Sequence, residues 1–348
     1  MSKLTTLILC AASLLLLTGA TFQGGTSFKT TRLATRPYDL CSELPAEVPG
    51  NTITQVNATQ DLHAVVTANC ATGCTLELAP GVYDDTSVTI GPVSLDRGIK
   101  VGSLDETTTG TILVRAADPD DKPVLRAGIG QQIAIFTIWN TGIFLRLEDI
   151  IMDGRRSEQT NDVFTEVCID TTPADDICDT LDPADEDANL TKSTAGAVFT
   201  ASTNLTDVPR VCALRVEARE TVYNSFQIRG SFNSTVEDSL ITGSGCDTTT
   251  CPLIDIPGEQ AINARTHAGR GINFSKGSRL AAVGNVLSDH SKMAIQCFDG
   301  ATQCYAIGNK TNGAGSTSIA YPRSSGTVRG NKVISSGQMY PFNTTNDN

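Results

Sequence analysis

The sequence predicts an all-β protein built as a single-stranded parallel β-helix, a solenoid in which short strands stack coil upon coil. Gly-Asn pairs recur at residues 284–285, 308–309 and 330–331, at intervals of 24 and 22 residues. Each pair separates two short segments of alternating apolar residues. Aromatic residues are few, whereas the turn-forming residues Gly, Ser, Thr and Asn are frequent. A regular interval of this length, with strands in every unit, is typical of a solenoid.

The same alternation of strand, polar turn and strand extends upstream, at residues 145–154 and 235–245. Spacings of 22 between Leu214 and Val236, of 44 between Val236 and Leu280, and of 23 between Val124 and Leu147 suggest one, two and one coils. Leucine-rich repeats need a leucine and asparagine frame that is missing here, and propeller blades are longer. If the coils stack, the asparagines of the three Gly-Asn pairs form a structural ladder, namely Asn285, Asn309 and Asn331.

The predicted organisation starts with a secretory signal peptide over residues 1–20, with Lys3, an apolar run from Leu4 to Leu17 and a small-residue cleavage site. The apolar run is too short to favour a membrane anchor. Residues 21–60 are predicted as a lead-in and cap, and residues 61–337 as the β-helix. Residues 155–208 are predicted as an acidic loop insertion, and residues 338–348 as a flexible tail.

Cysteines and glycosylation sequons indicate a secreted, extracellular or cell-wall glycoprotein. Four cysteine pairs close in sequence predict local disulfides, joining Cys70 with Cys74, Cys168 with Cys178, Cys246 with Cys251, and Cys297 with Cys304; Cys41 and Cys212 are left over. The connectivity remains open at this stage. Seven Asn-x-Ser/Thr sequons are candidate glycosylation sites, at Asn57, Asn189, Asn204, Asn233, Asn273, Asn309 and Asn343.

The distribution of charged residues indicates which class of ligand the protein binds. The formal net charge of −12 argues against a nucleic-acid partner. Residues 162–187 carry ten acidic residues and no Lys or Arg, whereas residues 259–332 carry nine Lys or Arg and three acids. The basic half therefore suits a polyanion, and an elongated solenoid groove suits a polysaccharide. No membrane partner is expected, and the protein is expected to be a monomer.

Two segments carry a resemblance to a known superfamily. The segment LELAPGVYDDTSVTI (76–90), followed by GTILVRAADPDDKPVLRAG (110–128), resembles the opening coils of the pectate-lyase-like right-handed β-helices, in the style of alginate lyases and chondroitinase B. The resemblance covers roughly residues 60–337. It implies a right-handed β-helix and a carbohydrate-active function, since that superfamily contains lyases, hydrolases, uronate epimerases and non-enzymatic surface proteins.

The candidate site follows from one-coil spacings in the basic half. Arg270 and Lys292 are 22 residues apart, as are His267 and Asp289. β-Elimination or epimerisation of a uronic acid needs a cation on the carboxylate, a base for the C5 proton and a proton donor. Lys292 is the predicted base, Arg270 the carboxylate clamp, and His267 or His290 the donor. Asp289 would orient a histidine or hold calcium, the only cofactor considered, and substrate-binding residues are predicted nearby, at Arg265, Lys276 and Arg279.

Alternative functions remain open from the sequence. The paired aspartates of polygalacturonases, the Trp-x-Asp-His signature of pectate lyases and the calcium ligands of chondroitinase-like lyases have no counterpart here. Ser288-Asp289-His290 matches the Asp-Pro-His box of alginate epimerases poorly. The favoured function is a lyase or epimerase acting on an acidic, uronate-containing polysaccharide. The alternative is a non-catalytic β-helix glycoprotein of the cell surface or wall that binds carbohydrate, while a glycoside hydrolase is disfavoured.

Overall fold

The chain folds into stacked coils of three strands. The computed structural model describes residues 36–46, 53–90, 110–129, 134–139, 142–158, 196–201, 208–222, 224–245, 253–254, 262–263, 269–298, 300–315 and 317–336. Three parallel sheets run along this part of the chain, and each described coil from β2 to β24 contributes one strand to each sheet in the fixed order A, B, C. This is the right-handed parallel β-helix that the sequence predicts.

The strands follow chain order within each sheet, so consecutive coils are direct neighbours. In the described residues, sheet A contains β1 (Ile53–Val56), β2 (Cys74–Leu78), β5 (Thr111–Ala116), β8 (Phe144–Glu148), β11 (Arg210–Leu214), β14 (Thr235–Glu237), β19 (Ser278–Val283), β22 (Thr302–Ile307) and β25 (Gly326–Arg329). Sheet B contains β3 (Val82–Tyr83), β6 (Val124–Arg126), β9 (Ile151–Asp153), β12 (Glu217–Thr221), β15 (Leu240–Ser244), β20 (Val286–His290), β23 (Lys310–Asn312) and β26 (Lys332–Val333).

Sheet C contains β4 (Val88–Ile90), β7 (Ala134–Trp139), β10 (Gly196–Ala201), β13 (Phe226–Arg229), β18 (Ile272–Ser275), β21 (Ile295–Phe298) and β24 (Ile319–Ala320). A separate antiparallel pair joins β16 (Leu253–Ile254) to β17 (Ile262–Asn263). In most coil strands alternate residues point inward, and their apolar side chains form one continuous core along the stack.

The turn from sheet A to sheet B explains the Gly-Asn repeat. Its first residue has a positive φ, which glycine adopts without strain, in the three coils of Gly284, Gly308 and Gly330. The second residue is the asparagine, and the predicted ladder is confirmed. Asn285 Nδ2 donates to Asn309 Oδ1 at 3.0 Å, and Asn309 Nδ2 donates to Asn331 Oδ1 at 2.8 Å. The ladder thus satisfies buried backbone and side-chain groups of successive turns.

Register corrects two of the predicted coil steps. Val236 pairs with Ala282 on the next coil, so the stretch from Val236 to Leu280 is one coil with an insertion and not two coils. Val124 lies in sheet B and pairs with Ile151, whereas Leu147 belongs to sheet A. A coil length read from spacing alone fails where loops of different length are inserted.

Residues 61–337 are predicted as the β-helix, but the start of this segment forms an α-helix, α1 (Leu62–Asn69). The Asp61 carboxylate accepts hydrogen bonds from the backbone N–H groups of His63 and Ala64, which caps the helix N-terminus. Leu62 and Val66 are buried in the core. The helix contacts β1 and β4 and therefore shields the first coils from solvent.

A segment that we call the strap, residues 38–46, runs over the outer face of sheet A. The two cysteines left over from the local pairs, Cys41 and Cys212, form a disulfide that joins the strap to β11, and Ser42 donates to the buried Glu237 carboxylate of β14. Backbone carbonyls of the strap accept from Arg146 of β8 and Arg115 of β5. The strap therefore crosses several coils and ties them together.

Two of the four predicted local disulfides are present, between Cys70 and Cys74 and between Cys297 and Cys304. The other two are not found in the described part of the chain, because all four of their cysteines lie outside the described residues, namely Cys168, Cys178, Cys246 and Cys251. The bond from Cys168 to Cys178 and the bond from Cys246 to Cys251 therefore stay predictions.

Within the described residues, no helix has the length and apolar character that a membrane span needs.

Candidate functional site

The longest connections between coil strands adjoin sheet C, and they make its outer face the candidate site. The turns from sheet A to sheet B are short, two residues in most coils. By contrast, the long stretches between described strands, 91–110, 154–195, 202–209 and 245–271, each begin or end at a strand of sheet C, apart from the β16–β17 pair within the last. Because binding surfaces of solenoids lie where connections are longest, this face is the candidate site.

Polar amides occupy the centre of this face. Phe226, Ile272 and Ile295 pair in register and point into the core. The next residue on each strand therefore points outward, which places Gln227, Asn273 and Gln296 side by side on β13, β18 and β21. We call these three the amide row. Gln227 Oε1 accepts from Asn273 Nδ2 at 2.8 Å, which links the first two members.

Cationic residues lie at both edges of the amide row. Arg270 and Lys292 are at the edge where the chain enters sheet C, on adjacent coils. Lys292 N–H donates to Gly269 O, whereas Gly271 N–H donates to Met293 O. The predicted pair is thus displaced by one residue, since the coil spacing here is 23 and not 22. Lys276, which is exposed, lies at the opposite edge, where the chain leaves sheet C.

His290 does not lie in the candidate site. Its side chain points into the core and is 1% exposed, and its Nδ1 is 2.6 Å from Ser244 Oγ. Burial lowers the pKa of His290 to about 3, so the ring stays neutral. The prediction that His290 donates a proton to the substrate is therefore wrong.

Asp289 is also elsewhere. It lies on β20 in sheet B with an exposed side chain and a φ of 59°, on the side opposite to its neighbour His290. It therefore neither orients that histidine nor faces the amide row. Among the described residues, no group of three or more His, Cys, Asp or Glu could hold a metal ion. The role of Asp289 as a calcium ligand stays a prediction, and we derive no step through a metal.

The remaining predicted residues divide into two groups. Arg279 belongs to β19 in sheet A, where its guanidinium stacks over the Phe232 ring at 5.3 Å, so it is not placed on the face of the amide row. His267 and Arg265 lie outside the described residues. The amide row was not among the predicted site residues, although the repeated apolar–amide–apolar pattern in FQI, INF and IQC indicates it.

Similarity of this chain to known proteins is confined to solved structures. No protein-family model and no curated protein matches the chain. Among solved structures, the Azotobacter vinelandii mannuronan C-5 epimerase AlgE6 A-module is similar at 14% sequence identity and a TM-score of 0.45. The match covers 81% of this chain and 71% of that chain. No residue role is transferred at this identity.

The buried histidine predicts a pH-dependent stability. The folded pKa of His290 is about 3, below its ordinary value, so between these values the unfolded chain binds more protons. The free energy of unfolding should therefore fall with acidification from about pH 6.5 towards pH 3, by up to about 1.4 kcal/mol per pH unit from this residue. The urea midpoint of the wild type should fall between pH 7 and pH 4, whereas that of His290→Gln lacks this contribution. The difference between the two midpoints should therefore shrink as pH falls. Parallel curves would contradict this assignment.

The structure separates the described sequons. Asn57 is exposed, whereas the Nδ2 atoms of three others donate within the fold: Asn233 to Asp39, Asn273 to Gln227, and Asn309 to Ala282 and Asn331. These three side chains are at most 7% exposed. A glycan there would have to break buried contacts. Asn189, Asn204 and Asn343 lie outside the described residues.

When the chain is expressed through a eukaryotic secretory pathway, we therefore expect a glycan at Asn57 and none at Asn233, Asn273 or Asn309. Tryptic glycopeptide mass spectrometry with enzymatic deglycosylation in heavy-oxygen water measures occupancy at each asparagine. Asn57→Gln should remove one glycan from the intact mass. Substantial occupancy at Asn309 in folded protein would refute the expectation.

Proposed function

We propose that the protein is a secreted, carbohydrate-active monomer that binds an acidic, uronate-containing polysaccharide along the outer face of sheet C. One observation carries the proposal: cationic residues lie at both edges of this face, with Arg270 and Lys292 on adjacent coils at one edge and the exposed Lys276 at the other. Arg and Lys side chains pair with carboxylates. The basic composition of residues 259–332 supports a polyanion.

Within this proposal the reaction is proton abstraction at C5 of a uronate, as in a lyase or an epimerase. Arg270 neutralises the carboxylate, which stabilises the negative charge that develops when the C5–H bond breaks. Lys292 is the base in this proposal: after losing its own proton it takes the C5 proton and becomes an ammonium again, so Arg270 alone pairs with the carboxylate during this step. In a lyase the electron pair then forms the C4–C5 double bond as the C4–O bond breaks. In an epimerase C5 regains a proton on its other face.

The proton donor in this scheme is His267. Two histidines, His267 and His290, are predicted as proton donors from the sequence. His290 is 1% exposed and points into the core, so it cannot contact the substrate. In a lyase His267 would protonate the leaving oxygen, and in an epimerase it would return a proton to C5. This role remains a proposal, since His267 lies outside the described residues.

The experiment incubates the secreted protein with alginate, polygalacturonate and glycosaminoglycans and follows both absorbance near 232 nm and uronate composition by NMR. New absorbance supports a lyase, and altered composition without absorbance supports an epimerase. Lys292→Met should lower kcat by about 10²- to 10⁴-fold, as expected for loss of a general base. The matched control, Lys310→Met on sheet B, should keep full activity. An unchanged rate for Lys292→Met would reject Lys292 as the base.

A non-catalytic role is the second candidate, and one observation favours it. The outward positions described on sheet C carry amides, hydroxyls, cations and apolar groups, but no carboxylate and no histidine. A surface of this kind can bind an acidic polysaccharide without chemistry. Retained binding together with flat absorbance and unchanged NMR spectra would establish this second role for those polymers.

A further inference from the structure

Asn312-Gly313 is the one Asn-Gly pair in the sequence, and it lies where β23 ends in sheet B. The Asn312 side chain is exposed, and Gly313 has a φ of 69°, in the left-handed region. A Cβ at residue 313 would lie 2.9 Å from Asp289 Oδ1, so both the backbone and the space require glycine there. Because glycine has no side chain, the backbone nitrogen of Gly313 is open to the Asn312 amide.

The hydroxyl of Ser335, on the next coil, bridges this pair. The Gly313 backbone N–H donates to Ser335 Oγ at 2.9 Å, and Ser335 Oγ donates to Asn312 Oδ1 at 2.7 Å. Both hydrogen bonds lie at the surface, where water has access. A hydroxyl can accept one hydrogen bond while it donates another. The backbone nitrogen, the hydroxyl and the amide oxygen therefore form one continuous chain of hydrogen bonds.

The direction of these two hydrogen bonds suits ring closure between Asn312 and Gly313. As the Gly313 nitrogen attacks Asn312 Cγ, its proton passes to Ser335 Oγ, and the Ser335 proton passes to Asn312 Oδ1, which takes the π electrons of the carbonyl. The Cγ–Nδ2 bond then breaks, the Oδ1 proton leaves with Nδ2 as ammonia, and the Cγ–Oδ1 double bond forms again. Ser335 ends unchanged, and the product is a cyclic imide formed without an oxidant or a cofactor.

We infer that Asn312 is a self-modification site, at which Ser335 promotes the loss of ammonia and water opens the cyclic imide to aspartate or isoaspartate. Isoaspartate places an additional methylene in the backbone. Since β23 pairs with β26 directly before this residue, the longer backbone loosens the last turn of the stack. The inference is independent of the proposed function, because Asn312 lies on sheet B and not on sheet C.

The first test needs no substitution. Folded protein and protein unfolded in guanidinium are incubated at neutral pH, and the tryptic peptide 311–323 is followed by mass spectrometry for a gain of one mass unit. Enzymatic methylation of the peptide detects isoaspartate, which reports the cyclic imide, since direct hydrolysis of the amide gives aspartate alone. Ser335 contacts Asn312 only in the fold, so the folded protein should convert faster. Slower conversion of the folded protein, or a product without isoaspartate, would overturn the inference.

The second test removes the bridging hydroxyl. Ser335→Ala should slow conversion of the folded protein by about 10²-fold, at the low end of what positioned proton transfer contributes. Ser335→Thr keeps a hydroxyl and should retain most of the rate. The matched control is Ser325→Ala, at another exposed serine of the last coil, which should convert like the wild type. Circular dichroism checks that each variant is folded. An unchanged or higher rate for folded Ser335→Ala would contradict the inference, since the hydroxyl would then only restrain the amide.

Discussion

Asn309→Leu should lower the free energy of unfolding by about 4 kcal/mol or more. The Asn309 side chain is 1% exposed and uses both its amide hydrogens, donating to Ala282 O and Asn331 Oδ1. Its Oδ1 accepts from the Asn285 backbone N–H and from Asn285 Nδ2. Leucine would leave these partners buried without hydrogen bonds, at about 1–3 kcal/mol each. Urea denaturation followed by circular dichroism measures the loss.

Thr311→Val is the matched control for that experiment. It removes the same sequon as Asn309→Leu, but it replaces a buried hydroxyl that has no partner among the described residues. Its stability should therefore equal or exceed that of the wild type. Asn331→Leu, on the less buried last turn of the ladder, should cost less than Asn309→Leu. Equal losses for Asn309→Leu and Thr311→Val would mean that the ladder adds nothing to stability.

Loss of the Cys41–Cys212 disulfide should cost about 3–5 kcal/mol. The bond joins residues 171 positions apart, and a cross-link that closes so long a loop restricts the unfolded chain strongly. The double variant Cys41→Ala with Cys212→Ala should show a lower urea midpoint than the wild type under oxidising conditions. It should also show increased proteolysis near residues 38–46, because the strap is no longer covalently held.

The double variant Cys70→Ala with Cys74→Ala provides the comparison, since that bond spans only four positions. The same entropy relation gives it about 2 kcal/mol. If removing the local disulfide lowered the free energy of unfolding as much as removing the long-range one, loop closure would not explain the stabilisation. The strap would then be held by its hydrogen bonds and ion pairs alone.

Much of the fold could be predicted because turn chemistry is local. A glycine with positive φ followed by a laddered asparagine leaves a two-residue signature, and three of them reveal the coil spacing. The upstream coils use other residues at the same turn: Asp149, Arg215 and Asp238 have positive φ there. Their sequences share the alternation but not the signature. Inserted loops also change the number of residues per coil. The 44 residues from Val236 to Leu280 were therefore predicted to be two coils, whereas they form one.

The candidate site was predicted less well, because a spacing of one coil does not show where a side chain points. The backbone at Asp289 has a positive φ, and the strand changes its course there, with His290 turned into the core and paired with Ser244. No feature of the sequence Ser-Asp-His distinguishes this from an exposed histidine. Arg270 and Lys292 were brought near each other correctly, although one residue out of register. The amide row was not predicted, because the predicted site residues were all charged or titratable and its members are neutral amides.

The strap has a consequence for synthesis on the ribosome. Residues 38–46 emerge early, yet their partners on β8, β11 and β14 are translated much later. Until those strands are made, Cys41 cannot form its bond with Cys212, and the next cysteines along the chain, Cys70 and Cys74, are the first with which it can pair wrongly. Correct pairing in an oxidising compartment then depends on thiol–disulfide exchange, and the strap reaches its place only after β14 has been made.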